Sequence, residues 1–141
     1  DYHQKTGIKA IKKFNTTLEG DISNWCYASK DDVLKNIKES SVEDYTILVE
    51  GDVSSTLNDS NNIPSSLSLL RLDTDWYEST KIELEILYPL LKSKGVLMVD
   101  DYGHWEGARM AVDEYMNSLE SNERPFQWVL DYTGRGYIKI I

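Results

Sequence analysis

Two short apolar runs, each followed directly by aspartate, constrain the fold of this chain more than any other feature. Residues 67–72 (LSLLRL) end at Asp73, and residues 95–99 (GVLMV) end at Asp100. Short runs that are almost continuously apolar are typical of strands buried on two faces. The sequence therefore predicts two buried strands, each with an acidic residue at its carboxyl end.

The segment between these runs has the periodicity of a helix. Apolar residues recur at helical spacing from Ile82 to Leu91. Ser79 or Thr80 is the predicted N-cap, and Gly95 lies beyond the helix end. The pattern predicts a strand, a crossover helix and a parallel strand.

Weaker patterns predict further elements on both sides of this unit. Hydrophobic periodicity and turn residues indicate two helices, one strand and a hairpin. They are a helix capped by Ser29, a buried strand over 45–49, a helix from Ala108 to Leu119, and a hairpin formed by 126–130 and 137–141. Residues 54–66 are rich in turn formers and are predicted to lie on the surface.

Composition narrows the possible partners. The chain has 141 residues, and 15 Lys and Arg against 24 Asp and Glu give a formal net charge of −9. An acidic surface repels phosphate backbones and anionic headgroups, so binding to nucleic acid or to a membrane surface is disfavoured. No apolar run approaches the ~18 residues that span a bilayer, and the polar start is unlike a signal peptide. We expect a soluble, cytoplasmic protein with a small polar partner or a cation.

Four carboxylates are predicted to meet at one edge of the sheet. Asp73, Asp75, Asp100 and Asp101 follow the two strand ends, where ligands collect in open α/β sheets. Converging carboxylates repel one another unless they are protonated or bind a cation. Mg²⁺ prefers oxygen ligands, and a remaining carboxylate can serve as a general base. The alternative is that each Asp forms a turn or caps a helix.

The acidic segments resemble a known enzyme family. The stretch LLRLDTDWYESTKIELEILYPLLKSKGVLMVDDYGHWEGARMAVDEY, residues 69–115, is similar to the macrocin O-methyltransferase family of S-adenosylmethionine-dependent enzymes. This family includes sugar O-methyltransferases of antibiotic biosynthesis. The segment VEGDVSSTL, residues 49–57, resembles the strand and Gly-x-x-x-x-Thr-Leu of that family. The resemblance covers roughly residues 25–141.

The resemblance implies roles for particular residues. Asp73, Asp100 and Asp101 match the magnesium ligands of the family. Asp75 matches the proposed general base that takes the proton from a sugar hydroxyl. Asp52 lies where such enzymes commonly contact the adenine of the donor, although a Gly-Asp pair is also an ordinary turn. The implied cofactors are S-adenosylmethionine and Mg²⁺, and the implied partner is a sugar or a glycosylated acceptor.

The implied fold is the Rossmann-like sheet of class I methyltransferases, mostly parallel with an antiparallel hairpin at the C-terminus. Residues 45–49 would be its third strand, 67–72 its fourth and 95–99 its fifth. We expect a single domain over 1–141, with an irregular or incomplete start at 1–24 and a methyltransferase-like core at 25–141. The first two strands are not recognisable. A homo-oligomer is compatible with the sequence.

The donor site is where the sequence departs from the family. Gly7 and Gly20 are the glycines of residues 1–24, and neither lies in a Gly-x-Gly turn after a strand. Two alternatives to an O-methyltransferase therefore stay open. One is a methyltransferase-like module without catalysis. The other is a haloacid dehalogenase-type phosphohydrolase, because DTDWY resembles its nucleophile motif. The spacing argues against this alternative: Asp100 follows Asp73 by only 27 positions, which leaves no room for the intervening strands and lysine of that family.

Several residues near the acidic segments allow two interpretations. Aromatic side chains there either stack on a sugar or pack the helices onto the sheet; they are Trp76, Tyr77, Tyr102 and Trp105. His104 is interpreted as a solvent-facing loop residue and Arg109 as part of a surface salt bridge. Cys26, the sole cysteine, cannot form an internal disulfide, which fits a reducing compartment, and is expected to be buried and inert.

Overall fold

The structure, a computed structural model, describes residues 1–20 and 22–141. Short 3-10 turns connect some of its helices and strands, at Glu43–Tyr45, Ser60–Asn62 and Tyr88–Leu90. The helices and strands in chain order are α1 Ala10–Thr16, β1 Leu18–Glu19, β2 Ile22–Ser23, α2 Lys30–Glu39, α3 Val53–Thr56, β3 Leu67–Leu72, α4 Tyr77–Leu87, β4 Leu91–Val99, α5 Glu106–Ser118, β5 Phe126–Val129 and β6 Arg135–Ile138. None of these helices combines the length and apolar character that a membrane crossing requires.

The main sheet has the strand order β3-β4-β6-β5. β3 and β4 pair in parallel, with α4 as the crossover between them. β6 is antiparallel to both β4 and β5, so the other three strands share one direction. The predicted α/β fold with its antiparallel C-terminal hairpin is confirmed.

The core lies between this sheet and the two long helices that follow its parallel strands. Leu70 and Leu72 of β3 point into it, together with Leu84 of α4 and Val112 of α5. Leu69 points the other way and is 57% exposed. The prediction that β3 is buried on both faces is therefore wrong, because the chain's amphipathic helices α4 and α5 supply apolar side chains to one face.

The strand predicted over 45–49 is also wrong. Tyr45 ends a 3-10 turn, and residues 46–50 have no regular structure. Ile47 is 91% exposed. In doubly wound sheets the third strand pairs with the second and lies away from the fourth. The described residues contain no second strand of that kind, so this apolar run has no neighbour to pair with.

The helix after Ser29 forms as predicted. The hydroxyl of Ser29 accepts a hydrogen bond of 3.1 Å from the backbone N–H of Asp32. The Asp32 carboxylate in turn accepts 3.3 Å from the Ser29 N–H, which completes a capping box. Val33 and Leu34 on its apolar face are exposed.

Helix α4 begins earlier than its predicted cap. Its N-cap position is Trp76, which makes no side-chain capping bond, and not Ser79 or Thr80. The N–H of Tyr77 in the first turn instead donates 3.3 Å to the carboxylate of Asp1. Local spacing cannot reveal a helix end whose donor is satisfied from 76 positions away.

The start of the chain is more ordered than the sequence suggests. Residues 1–24, expected to be irregular, contain α1 and the small β1–β2 pair. The side-chain amide of Gln4 donates 2.6 Å to the carbonyl of Tyr102, and the Glu106 N–H donates 3.0 Å to the carbonyl of Tyr2. These bonds dock the start onto the loop after β4, which connects it to the acidic strand ends.

Candidate functional site

The parallel pairing of β3 and β4 places their carboxyl ends side by side. Leu72 and Val99 are register partners at the last position of each strand. The backbone N–H of Asp100 donates 3.0 Å to the carbonyl of Leu72, which extends the pairing by one bond. Asp73 and the Asp100–Asp101 pair therefore leave the sheet at the same edge, as predicted.

Three carboxylates converge at this edge. Asp73, Asp75 and Asp101 each offer an oxygen, and these oxygens lie within 4.8 Å of one another. Asp73 is exposed, whereas Asp75 and Asp101 are half-buried. An all-oxygen set at this spacing matches the ligand preference of a hard divalent cation.

Asp75 is held in an unusual backbone conformation. Its φ is +68°, in the left-handed region that Asp and Asn tolerate better than most residues. The N–H of Trp76 donates 2.8 Å to the carbonyl of Thr74 around this tight turn. The turn fixes the direction in which the Asp75 carboxylate leaves the chain and brings it back toward Asp73.

Arg71 pairs with both Asp73 and Asp100. Arg71 contacts Asp73 with Nη1 at 2.6 Å from Oδ2, and it contacts Asp100 with Nη2 at 3.2 Å from Oδ2. Asp100 is therefore beside Asp73 but outside the group of three. Sequence reasoning missed Arg71, although a lone arginine inside the apolar run 67–72 was the available signal.

The electrostatics of the site follow from this crowding. The pKa of Asp101 is raised to about 7, chiefly by burial and also by the neighbouring carboxylates of Asp75 and Asp100, while His104 acts in the opposite direction. Burial also raises the pKa of Asp100, where Asp73 adds to the rise and Arg71 opposes it. A bound cation would relieve this repulsion, so the donor set fits the magnesium ion that the resemblance implies.

A buried glutamate lies behind the turn that carries the acids. Glu83 of α4 is 6% exposed, and its carboxylate accepts a 2.8 Å hydrogen bond from the hydroxyl of Thr74. Its pKa is raised to about 7, chiefly by burial and also by the charge of Asp73, while the hydrogen bond from Thr74 acts in the opposite direction. Sequence reasoning missed Glu83, because it occupies one position of an otherwise ordinary helix.

The aromatic residues divide between the two interpretations. Tyr77 and Tyr102 donate through their hydroxyls to carboxylates of α5, at 2.7 Å to Glu114 and 2.6 Å to Asp113. These two tyrosines serve the packing of α5. Trp76 and Trp105 lie with ring centroids 5.1 Å apart, and Trp105 is buried while Trp76 keeps partial exposure.

The structure also bears on the predictions for His104, Cys26 and Arg109. His104 lies in a turn and is half-buried, with its ring centroid 4.3 Å from that of His3, so it is only partly the solvent-facing loop residue that was expected. Cys26 is exposed, and the expectation of burial is wrong, because its left-handed φ of +55° places it in a tight turn. Arg109 pairs with Asp113 at 3.5 Å on the surface of α5, as expected.

Asp52, the predicted donor contact, acts as a helix cap in the structure. Its carboxylate accepts 2.9 Å from the N–H of Ser54 at the start of α3, and it also bonds the Ser54 hydroxyl. It is not part of the converging group of carboxylates. A role in binding the donor stays a prediction for this residue.

Comparisons with known proteins find similarity to O-methyltransferases. Demethyldecarbamoylnovobiocin O-methyltransferase of Streptomyces niveus is 46% identical over 50 residues, which are 36% of this chain and 19% of that protein. The solved structure of the O-methyltransferase NovP matches with a TM-score of 0.65 and 29% identity, over 81% of this chain and 46% of that one. The solved calicheamicin methyltransferase CalS11 matches with a TM-score of 0.61 over 86% of this chain and 52% of that one. Its 20% identity supports the fold alone.

The family assignment rests on most of the chain. The chain spans about half the length of the solved structures that it matches. A family model for macrocin-O-methyltransferase (TylF) matches residues 10–137, which include both acidic strand ends. This chain belongs to the macrocin-O-methyltransferase family.

Proposed function

We propose that this chain forms the metal- and acceptor-binding part of an O-methyltransferase that depends on S-adenosylmethionine and Mg²⁺. Its acceptor would be a hydroxyl of a sugar or of a similar polyol-bearing small molecule. One observation carries the proposal: Asp73, Asp75 and Asp101 converge within 4.8 Å at the strand ends of a chain whose family consists of O-methyltransferases.

Asp73 and Asp101 are the residues that would hold the metal, because they belong both to the predicted ligand set and to the converging group. Asp100 is the third predicted ligand, and a metal held by Asp73 or Asp100 competes with the ion pairs that both carboxylates make with Arg71. A bound Mg²⁺ lowers the pKa of a coordinated hydroxyl and keeps water-exchangeable positions for a substrate oxygen.

Asp75 would take the proton from the acceptor hydroxyl. A general base must lie within hydrogen-bond reach of the proton that it removes, and its position must be fixed. The left-handed turn at Asp75 supplies that fixed position next to Asp73. The O–H bond of the acceptor breaks, and the Asp75 carboxylate holds the proton.

The proposed use of S-adenosylmethionine is supported by the family, and not by a donor pocket among the described residues. Asp52 is engaged in capping α3, and the glycines Gly7 and Gly20 lie outside any strand-to-helix turn. S-adenosylmethionine would supply the methyl group as a sulfonium.

The acceptor class follows from relatives. One matching structure is described as a TDP-rhamnose 3'-O-methyltransferase, and a curated relative as a demethyldecarbamoylnovobiocin O-methyltransferase. For this chain we propose only the coarser class, a sugar hydroxyl. The phosphohydrolase alternative gains no support, because the model that matches 10–137 describes methyltransferases.

Metal binding tests the proposal directly. We expect Mn²⁺, used as a paramagnetic substitute for Mg²⁺, to bind this chain in an electron paramagnetic resonance titration. Asp73→Asn and Asp101→Asn should each weaken that binding by about tenfold or more, since each removes one charged ligand. Asp44→Asn, which alters an exposed carboxylate outside the site, is the matched control. Equal binding by all four proteins would contradict the proposal.

Calorimetry with S-adenosylmethionine separates the enzyme from the non-catalytic module. Binding of the donor to this chain supports a methyltransferase that carries its own donor contacts. Metal binding without donor binding would leave the acidic site intact and favour the module. Hydrolysis of an aryl phosphate that is lost in Asp73→Asn would favour the phosphohydrolase.

A further inference from the structure

A cavity of about 410 Å³ lies at the edge of the main sheet opposite the acidic strand ends. The 3-10 turn Tyr88–Leu90 in its wall directly precedes β4, whereas Asp100 and Asp101 follow that strand. The other walls come from the end of α5, the turn after it and the residues after β6. The lining residues include Tyr88, Tyr115, Leu119, Glu123 and Lys139. We call this cavity the distal pocket.

A buried hydroxyl in the wall of the distal pocket has no partner. The side chain of Tyr88 is 3% exposed, and its hydroxyl makes no hydrogen bond within the described part of the chain. The pKa of Tyr88 is raised to about 12, chiefly by burial and also by the nearby Tyr115 and Glu123 side chains. Buried polar side chains are almost always hydrogen-bonded, because an unpaired one has lost its bonds to water. An unsatisfied donor therefore lies beside two residues that line the same cavity.

Two opposite charges also line the distal pocket and do not pair with each other. The Lys139 ammonium donates to backbone carbonyls, at 3.1 Å to Pro89 and 3.3 Å to Tyr88. One carboxylate oxygen of Glu123 accepts 3.2 Å from the N–H of Glu120. Neither charged side chain forms an ion pair within residues 1–20 and 22–141. Lys139 keeps a third N–H and Glu123 a second oxygen, so each can still bond a ligand.

Aromatic and aliphatic side chains complete the wall. The rings of Tyr88 and Tyr115 meet edge to face, with centroids 5.3 Å apart and an angle of 73° between the planes. Leu119 packs against the same core cluster and is half-buried. A ligand with a single charge would be attracted by one of Lys139 and Glu123 and repelled by the other. The distal pocket therefore suits a zwitterion with an apolar group.

We propose that the distal pocket binds a free α-amino acid with an aromatic side chain. The ligand carboxylate accepts hydrogen bonds from the Lys139 ammonium and the Tyr88 hydroxyl. The ligand ammonium donates to Glu123, and the aromatic ring packs on Tyr115 and Leu119. This second ligand site is separate from the acidic edge and does not depend on the proposed methyl transfer.

Three ligands of similar shape test the charge requirement. L-phenylalanine carries both charges, 3-phenylpropionate only the carboxylate, and phenethylamine only the ammonium. We expect L-phenylalanine to bind about tenfold more tightly than either, since each of the others lacks one charge-assisted hydrogen bond. In ¹H–¹⁵N spectra the backbone signals of Leu119 and Lys139 should shift, and that of Asp101 should not. Absence of binding, equal affinities, or a larger shift at Asp101 than at Lys139 would overturn the proposal.

Glu123→Gln tests the contact with the ligand ammonium. Glu123 is exposed, so its replacement should leave the fold intact. The variant should bind L-phenylalanine no better than it binds 3-phenylpropionate, and its affinity for 3-phenylpropionate should not fall. Glu120→Gln removes an exposed carboxylate near the pocket but outside its lining, and it should change neither affinity. Equal losses in the two variants would contradict a specific contact.

Tyr88→Phe tests the unpaired hydroxyl. It should weaken L-phenylalanine and 3-phenylpropionate by about fivefold and leave phenethylamine unchanged, because only a carboxylate accepts from this hydroxyl. Without ligand, the variant should melt at no lower a temperature than the original chain, since it loses an unsatisfied group. A lower melting temperature would show that the hydroxyl has a partner and would overturn the proposal.

The distal pocket and the proposed function can fail separately. Glu123→Gln and Tyr88→Phe should bind Mn²⁺ like the original chain, because both residues lie at the other edge of the sheet. Mn²⁺ binding that depends on Asp73, without binding of L-phenylalanine, would leave the metal site standing and overturn the distal pocket.

Discussion

The hydroxyl of Thr74 donates a 2.8 Å hydrogen bond to the buried carboxylate of Glu83. Thr74 lies between two of the converging aspartates, and Glu83 belongs to α4, which packs into the core. The bond therefore ties the acidic turn to the buried face of α4. Its energetic cost is the burial of a carboxylate without a cationic partner.

Glu83→Gln should change how stability depends on pH. The pKa of Glu83 is about 7 in the folded chain against an ordinary value of 4.5, so the folded chain binds this proton more tightly. The corresponding stability is fully present below pH ~4.5 and is lost as pH rises through ~7, by about 3 kcal/mol. The Gln variant should lack this part of the decline. Urea unfolding of both chains with EDTA, at pH 5 and pH 8, measures it; equal declines would contradict the assignment.

Replacing Asp75 should have effects that depend on the backbone as well as on the charge. Asn adopts the left-handed conformation readily, whereas Ala has no polar side chain to favour it. We expect Asp75→Asn to keep the melting temperature and Asp75→Ala to lower it by about 3 °C, for ~1 kcal/mol of strain. Both variants should lose the proposed base. Thermal unfolding by circular dichroism compares them, and identical melting temperatures would argue against strain at this turn.

Arg71→Met should strengthen metal binding. The guanidinium holds Asp73 and Asp100 and repels a cation, so its removal frees two carboxylates. Because both pairs are about half exposed, we expect only a modest gain, about threefold in Mn²⁺ affinity. Arg124→Met, which removes an arginine that contacts backbone carbonyls of α5 and its end, should have no effect. A weaker metal site in Arg71→Met would show that Arg71 organises the ligands.

Two glycines near the site should respond very differently to alanine. A Cβ on Gly103 would lie 1.8 Å from the backbone oxygen of Tyr132, so the loop after β4 would have to move. The nearest atoms to a Cβ on Gly107 belong to the side chain of Asp1, which can rotate away at the cost of its weak bond from the Tyr77 N–H. We expect Gly103→Ala to cost about 2 kcal/mol or more and Gly107→Ala less than half of that. Denaturant unfolding of the two variants gives the comparison.

The helices and strands that could be predicted are those that a local sequence pattern defines by itself. β3 has its predicted bounds, because a continuous apolar run ends at a charge. α2 has its predicted N-cap, Ser29, because the cap and its partner Asp32 are three residues apart. The run at 45–49 has the same local character as β3 but no neighbour to pair with, and local sequence does not encode the presence of a partner.

The site residues that could be predicted are those that come directly after strand ends. Asp73, Asp75 and Asp101 come together as expected, because parallel strands end at one edge. The engagement of Asp100 by Arg71 was not predictable, because it depends on which face of β3 the arginine occupies. The contact between Trp25 and Trp76 was not predictable for a different reason: the two residues are 51 positions apart and meet through the docking of the first residues.

The outer edge of β3 also affects the tendency of this polypeptide to aggregate. Within the described residues β3 pairs with β4 alone, and the exposed Leu69 lies beside its unpaired N–H and C=O groups. An open, apolar edge is a template for intermolecular strand addition. Concentrated solutions of this chain should therefore aggregate through β3. A lysine at position 69 should slow the rise in thioflavin fluorescence without altering the acidic site.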